Sequence, residues 1–147
     1  MLYYASHSND EPGVQHADIR ANPDLIGYVE GWKTVGHVGV IAELDDMPVG
    51  AAWLRAPAGG GDSNPVFVDH DTPELAVAVE PGYEGRGIGS TMMRDLFDDV
   101  TGRFPAVVLS VRAENPAVRL YERLGFETVA TIANRVGTVS VKMVKRL

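Results

Sequence analysis

The chain has 147 residues, no cysteine and a formal net charge of −7, which excludes a disulfide, a thiolate nucleophile and a cysteine-held metal. Its length and its 45% apolar content describe one soluble globular domain over residues 1–147, able to bury roughly 68–70% of its unfolded surface. The acidic balance argues against binding nucleic acid through its phosphates, and no apolar run approaches the ~18 residues of a membrane span.

In chain order, Leu25, Tyr28, Val29 and Trp32 recur at i, i+3, i+4 and i+7, which predicts a helix started by Asn22 and Pro23 and ended near Gly31 and Gly36. A hairpin follows: Val38, Val40 and Ala42 alternate, Asp45-Asp46-Met47-Pro48 turns, and Val49 to Leu54 returns. Residues 56–65, APAGGGDSNP, have the composition of a flexible loop. A strand from Leu75 to Val79 then meets a turn at Glu80-Pro81-Gly82. Beyond it, Gly85-Arg86-Gly87-Ile88-Gly89 opens a helix whose apolar face carries Ile88, Met92, Leu96 and Val100, widened by Met93 and Phe97.

Glycine admits left-handed backbone angles, and a helix N-terminus presents unpaired N–H groups and a partial positive charge. Strand, glycine loop and helix start together favour a phosphorylated ligand. The spacing Gly85-x-Gly87-x-Gly89 does not fit the dinucleotide fingerprint, and Ser90 follows Gly89 with no lysine, so the P-loop fails as well. Farther on, Val107, Leu109 and Val111 alternate as a strand. Asn115 is a good N-cap, Pro116 suits the first helical position, and Val118, Tyr121 and Leu124 share one face before Gly125 stops the helix. Glu127 to Ile132 and Thr138 to Val144 form a closing pair of strands, with no internal repeat and no linker.

Residues 84–89, EGRGIG, resemble motif A of the GNAT superfamily of N-acetyltransferases, with Glu84 where the family has Gln or Arg. Residues 109–126, LSVRAENPAVRLYERLGF, resemble its motif B in the same order. The likeness extends over about residues 17–147 and implies an α/β (α+β) fold: a central, mostly antiparallel mixed sheet flanked by helices, with the N-terminal strand absent or short. A missing first strand would leave 38–42 as an exposed edge, to be covered by residues 1–16 or by a second subunit in a homodimer.

The resemblance further implies acetyl-CoA as cosubstrate and a primary amine of a small molecule or peptide as acceptor, attacking the thioester directly. It assigns the cofactor's pyrophosphate to Gly85, Arg86, Gly87, Ile88, Gly89 and Ser90, its pantetheine arm to Val77, Ala78 and Val79, and a further cofactor contact to Asn115. Tyr121 takes the place of the acid that protonates the departing thiolate. Glu74 is the candidate base, with His70 an alternative, and Tyr28, Trp32 and Trp53 are candidates to line the acceptor pocket. Each of these aromatics also reads as core packing at helical or strand spacing. Asp69-His70-Asp71 is rejected as a metal site, because adjacent residues rarely converge on one ion. The rival function is a coenzyme A-binding sensing or regulatory module without catalysis. The absence of a basic-then-apolar leader makes the expected location cytoplasmic.

Overall fold

The structure, a computed structural model, describes residues 38–56, 64–133 and 137–147. The helix expected around 25–32, the first-strand question, the covering role of residues 1–16 and most of the glycine-rich loop at 56–65 lie outside those residues. Six strands and two helices are described: β1 (Val38–Leu44), β2 (Met47–Arg55), β3 (Glu74–Val79), α1 (Ile88–Val100), β4 (Ala106–Arg112), α2 (Ala117–Arg123), β5 (Glu127–Ala133) and β6 (Val139–Arg146). The strands form one mixed sheet in the order β1-β2-β3-β4-β6-β5, so β1 is an edge strand among the described residues. No helix among them is long and apolar enough to cross a membrane.

The chain divides into two compact units. The first holds β1, β2, β3 from Ala76 onward and α1 as far as Leu96. Its hairpin is tighter than the sequence suggests. Asp45 and Asp46 both have positive φ, 50° and 63°, and Leu44 pairs with Met47. That is the left-handed pair of a two-residue type I′ turn, whose twist matches the flanking strands. Met47 and Pro48 therefore belong to β2 rather than to the turn. Pro48, which has no N–H to donate, sits opposite Glu43 at a register shift between Ala42 and Glu43, where a strand tolerates proline.

The buried hydrophobic residues of this unit include Val49, Ala52, Trp53 and Leu54 of β2, covered on both faces, and Met92, Met93 and Leu96 of α1, on the face that the i+4 spacing marks. Gly50 sits under the end of Met92 and beside the β3 backbone. A Cβ there would lie 2.8 Å from Met92 Cε and 3.2 Å from the Ala78 carbonyl oxygen.

The second unit holds residues 56–75 and 97–147. β3 enters the sheet parallel to β4, with Glu74 opposite Val108 and the Val108 N–H donating to the Pro73 carbonyl at 3.0 Å. Val107, Val108 and Leu109 are consecutive and all buried, as in a strand covered on both faces. β6 pairs antiparallel with β4 along its length, from Ala106–Arg146 to Arg112–Ser140. β5 pairs with β6 across a bulge between Thr128 and Ala130, which leaves Val129 exposed. Phe97, Val100, Phe126 and Met143 complete the core of this unit. Lys142 Nζ donates to the Phe67 carbonyl at 2.7 Å and ties the segment ahead of β3 to β6.

Gly50→Ala tests the close approach of β2 and α1. The methionine end can swing aside but the Ala78 carbonyl cannot, so the substitution should cost about 1–3 kcal/mol, as overpacking usually does. Urea unfolding should show a lower midpoint with an unchanged slope.

Candidate active site

The residues matching motif A form a loop built almost wholly from its own backbone. Gly82, Gly85 and Gly87 adopt φ of +89°, +72° and +81°, which side-chain-bearing residues rarely do. A Cβ at any of the three would meet nothing within 4 Å, so the glycines are there for conformation, and they leave open space above the loop. The Glu80 N–H donates to the Val49 carbonyl at 2.8 Å and the Tyr83 N–H to the Glu80 carbonyl at 3.0 Å, which fixes the turn against β2. The first α1 amide to find a carbonyl one turn back is that of Thr91, on Gly87 at 3.0 Å. The N–H groups of Ile88, Gly89 and Ser90 therefore lead the helix without such a partner. No acidic residue lies in the first turn to take up the positive end of the helix.

Two charged side chains organise the loop, and the sequence pattern did not show how. The Gly82 N–H donates to Glu84 Oε2 at 2.6 Å. Arg86 Nη2 donates to the Gly82 carbonyl at 3.2 Å, with its guanidinium 5.0 Å from the centre of the Tyr83 ring. Open space over glycines, leading amides and a nearby guanidinium fit an anionic group such as a diphosphate.

On β3, Ala78 is buried, Val77 and Val79 are half-buried, and Val79 Cγ2 would be in ordinary contact, 3.8 Å, with a Cβ at Gly89. Glu74 is buried at the strand's start; no buried side-chain oxygen or nitrogen among the described residues lacks a hydrogen-bond partner, so its carboxylate is satisfied. Asp69, His70 and Asp71 are exposed. The Thr72 hydroxyl bonded to Asp69 holds that carboxyl below its ordinary range, the Asp71 N–H donates to Asp69 Oδ1 at 2.9 Å, and His70 meets Phe67 edge-on at 5.3 Å. This is a local turn ahead of β3, with a solvated histidine. Trp53 is 5% exposed, a core residue, while Tyr28 and Trp32 lie outside the described residues.

The residues matching motif B carry a cap at each end of α2. Pro116 already has helical angles (φ −55°, ψ −22°), so the cap falls on Asn115, whose Oδ1 accepts the Ala117 N–H at 2.8 Å and whose carbonyl accepts the Val118 N–H at 3.0 Å. Asn115 is thereby committed through its oxygen to starting the helix. At the other end, Gly125 has φ +88°, its N–H donates to the Glu122 carbonyl at 3.0 Å, and the Phe126 N–H donates to the Tyr121 carbonyl at 3.0 Å. This pair of bonds is a Schellman motif, and its usual hydrophobic contact is present as the Tyr121 and Phe126 rings, edge-on with centroids 5.8 Å apart. Phe126 in turn packs on Phe97 at 5.8 Å, and Lys145 Nζ lies 5.6 Å from the Phe97 ring centre. The Leu-Gly-Phe end of the motif thus does more than stop a helix: it fixes the Tyr121 ring. Tyr121 is half-buried, and the surrounding protein that strips water from its phenol pushes it up to about 12, so it is a neutral hydrogen-bond donor at physiological pH.

Two glycine substitutions separate conformation from packing. Gly87→Ala should cost about 1–2 kcal/mol from the left-handed angle alone. Gly89→Ala, in helical conformation with room for the methyl, should leave thermal stability unchanged or raised. For the tyrosine cap, Gly125→Ala should cost a similar ~1–2 kcal/mol and should weaken near-ultraviolet tyrosine dichroism, because the left-handed angle at Gly125 that seats Phe126 on Tyr121 is strained by any side chain.

Comparison with known proteins gives these local structures a family. A model of the acetyltransferase (GNAT) family matches residues 2–126. The chain is 31% identical over 90 residues to a mycothiol acetyltransferase of Brachybacterium faecium, covering 60% of this chain and 25% of that one. It is 43% identical over 54 residues to the N-alpha-acetyltransferase RimI of Mycobacterium tuberculosis, covering 36% of this chain and 33% of that one. The matches thus span about a quarter to a third of the length of these curated relatives. The structure of a ribosomal-protein-alanine N-acetyltransferase from Brucella melitensis superposes with a TM-score of 0.62 at 24% identity, over 76% of this chain and 70% of that one, a likeness of fold. With the family model spanning most of its length, a mixed six-stranded sheet of matching fold and both motifs in order, the chain belongs to the GNAT family of acetyltransferases.

Proposed function

We propose that the chain transfers an acetyl group from acetyl-CoA to a primary amine of a small molecule or a peptide. The observation that carries this reading is Tyr121, a neutral phenol fixed by a Schellman contact at the position where the family's acid stands. Loop 82–89 is assigned the cofactor's diphosphate, through the amides of Gly85 to Ser90 and the guanidinium of Arg86. The backbone of Val77, Ala78 and Val79 is assigned the pantetheine arm, with one N–H oriented as an oxyanion donor, and Asn115 a further contact with the cofactor. The names of the relatives, a mycothiol acetyltransferase and an N-alpha-acetyltransferase, favour neither class of acceptor over the other.

Bound acetyl-CoA supplies an activated thioester. The chain's residues must then manage two protons, one leaving the amine as the N–C bond forms and one arriving on sulfur as the C–S bond breaks. Tyr121 is assigned the second. An ordinary thiol has a pKa near 8.5, so a phenol at about 12 cannot give up its proton to a thiolate in isolation without a cost of roughly 5 kcal/mol. Tyr121 therefore stabilises the sulfur by hydrogen bonding as charge develops and completes the transfer only as the amine's proton is released. Glu74, buried and hydrogen-bonded, is the proposed receiver of that proton.

Thiol release from acetyl-CoA, measured against a panel of small amines and peptide N-termini, tests the reading. Turnover on at least one amine is expected, whereas cofactor binding without turnover on any of them would favour a sensing module. Tyr121→Phe should lower kcat by about 10²–10⁴-fold with little change in cofactor Kd. With the phenol titrating only near 12, the wild-type rate should show no falling limb from Tyr121 below about pH 10. An unchanged kcat in Tyr121→Phe removes this residue from the chemistry.

A further inference from the structure

We propose that Glu84 is a positioning residue that sets the affinity of the glycine loop for diphosphate ligands: its carboxylate fixes the loop through Gly82, while its charge holds affinity below what the loop alone allows. This rests on the reading of loop 82–89 as a diphosphate grip. The peptide groups on either side of Gly82 are each taken by a side chain of opposite sign, the N–H by Glu84 Oε2 at 2.6 Å and the carbonyl by Arg86 Nη2 at 3.2 Å. The first is a short, charge-assisted bond, the stronger kind. Gly82 is otherwise unrestrained by bulk, since a Cβ there would meet nothing within 4 Å and its φ is +89°. The Tyr83 N–H bond to the Glu80 carbonyl closes the turn at 3.0 Å, and the two side chains add a second restraint on both peptide groups of Gly82, ahead of Gly85 and Gly87. The arrangement also holds the Arg86 guanidinium against Tyr83, 5.0 Å from the ring centre.

The same carboxylate is a fixed negative charge within the loop read as the diphosphate grip. At physiological ionic strength, charges interact over about 8 Å before screening dominates, so a diphosphate on the loop feels Glu84 as well as Arg86. Position and charge are separable by substitution. Glutamine keeps an oxygen for the Gly82 N–H and removes the charge, whereas alanine removes both.

Coenzyme A and pantetheine, which lacks the phosphates, are titrated calorimetrically into wild type, Glu84→Gln and Glu84→Ala at low and high salt, with hydrogen exchange at Gly82 followed in parallel. Glu84→Gln should bind coenzyme A about 3- to 10-fold more tightly than wild type, with a gain that shrinks as salt rises. Pantetheine affinity should not change. Glu84→Ala should bind coenzyme A more weakly than Glu84→Gln and exchange the Gly82 amide faster. If Glu84→Gln binds no more tightly than wild type, or if Glu84→Ala matches it in both affinity and Gly82 protection, the proposal is overturned while the functional reading stands. A wild-type protein that neither binds coenzyme A nor releases thiol overturns the functional reading, and this proposal with it.

Discussion

The leading amides of α1 are the constraint on which the rest of the site depends. Ile88, Gly89 and Ser90 begin the helix with N–H groups that have no carbonyl one turn back, and the first turn holds no acidic side chain. Such groups require water or an acceptor from outside the chain. The three left-handed glycines ahead of them leave open space where their own side chains would stand. The packing behind is tight: α1 buries Met92, Met93 and Leu96, and a methyl group at Gly50 of β2 would press on the end of Met92 and on the Ala78 carbonyl of β3. A rigid helix held by its apolar face thus presents a polar end, and the residue types at 82–89 follow from that division.

At α2 the same economy appears with a different device. The helix is only seven residues long and none of its residues is fully buried, Tyr121 being half-buried, so packing alone does little to hold it. Caps hold it instead: Asn115 at the start, and Gly125 with Phe126 at the end. Because the terminal cap brings the Phe126 ring onto Tyr121, the same contact that ends the helix orients the phenol. Helix stability and placement of the proposed acid are therefore one property.

Much of this was legible in the sequence because it rests on local rules. The i+4 spacing gave the buried face of α1, Asn115-Pro116 gave the start of α2, and Gly125 gave its end. What escaped depends on details that residue type does not encode. The hairpin at Asp45-Asp46 closes in two residues because both aspartates accept left-handed angles, which moves Met47 and Pro48 into β2. Trp53 was a pocket candidate whose spacing read more readily as core packing, and burial places it in the core. Glu84 read as a departure from a family pattern; only its bond to the Gly82 N–H showed that it organises the loop. The ring contact between Tyr121 and Phe126 was foreshadowed by their spacing across a glycine stop, a signal that the aromatic following the glycine carries.

The central claim is that the backbone amides of the loop and of the first turn of α1 grip a diphosphate. Amide proton and nitrogen shifts, followed while coenzyme A is added to the ¹⁵N-labelled protein, test it most directly. The account predicts saturable downfield amide shifts concentrated at Gly85, Gly87, Ile88 and Gly89. A saturable titration that left these four amides unmoved while perturbing others would contradict it.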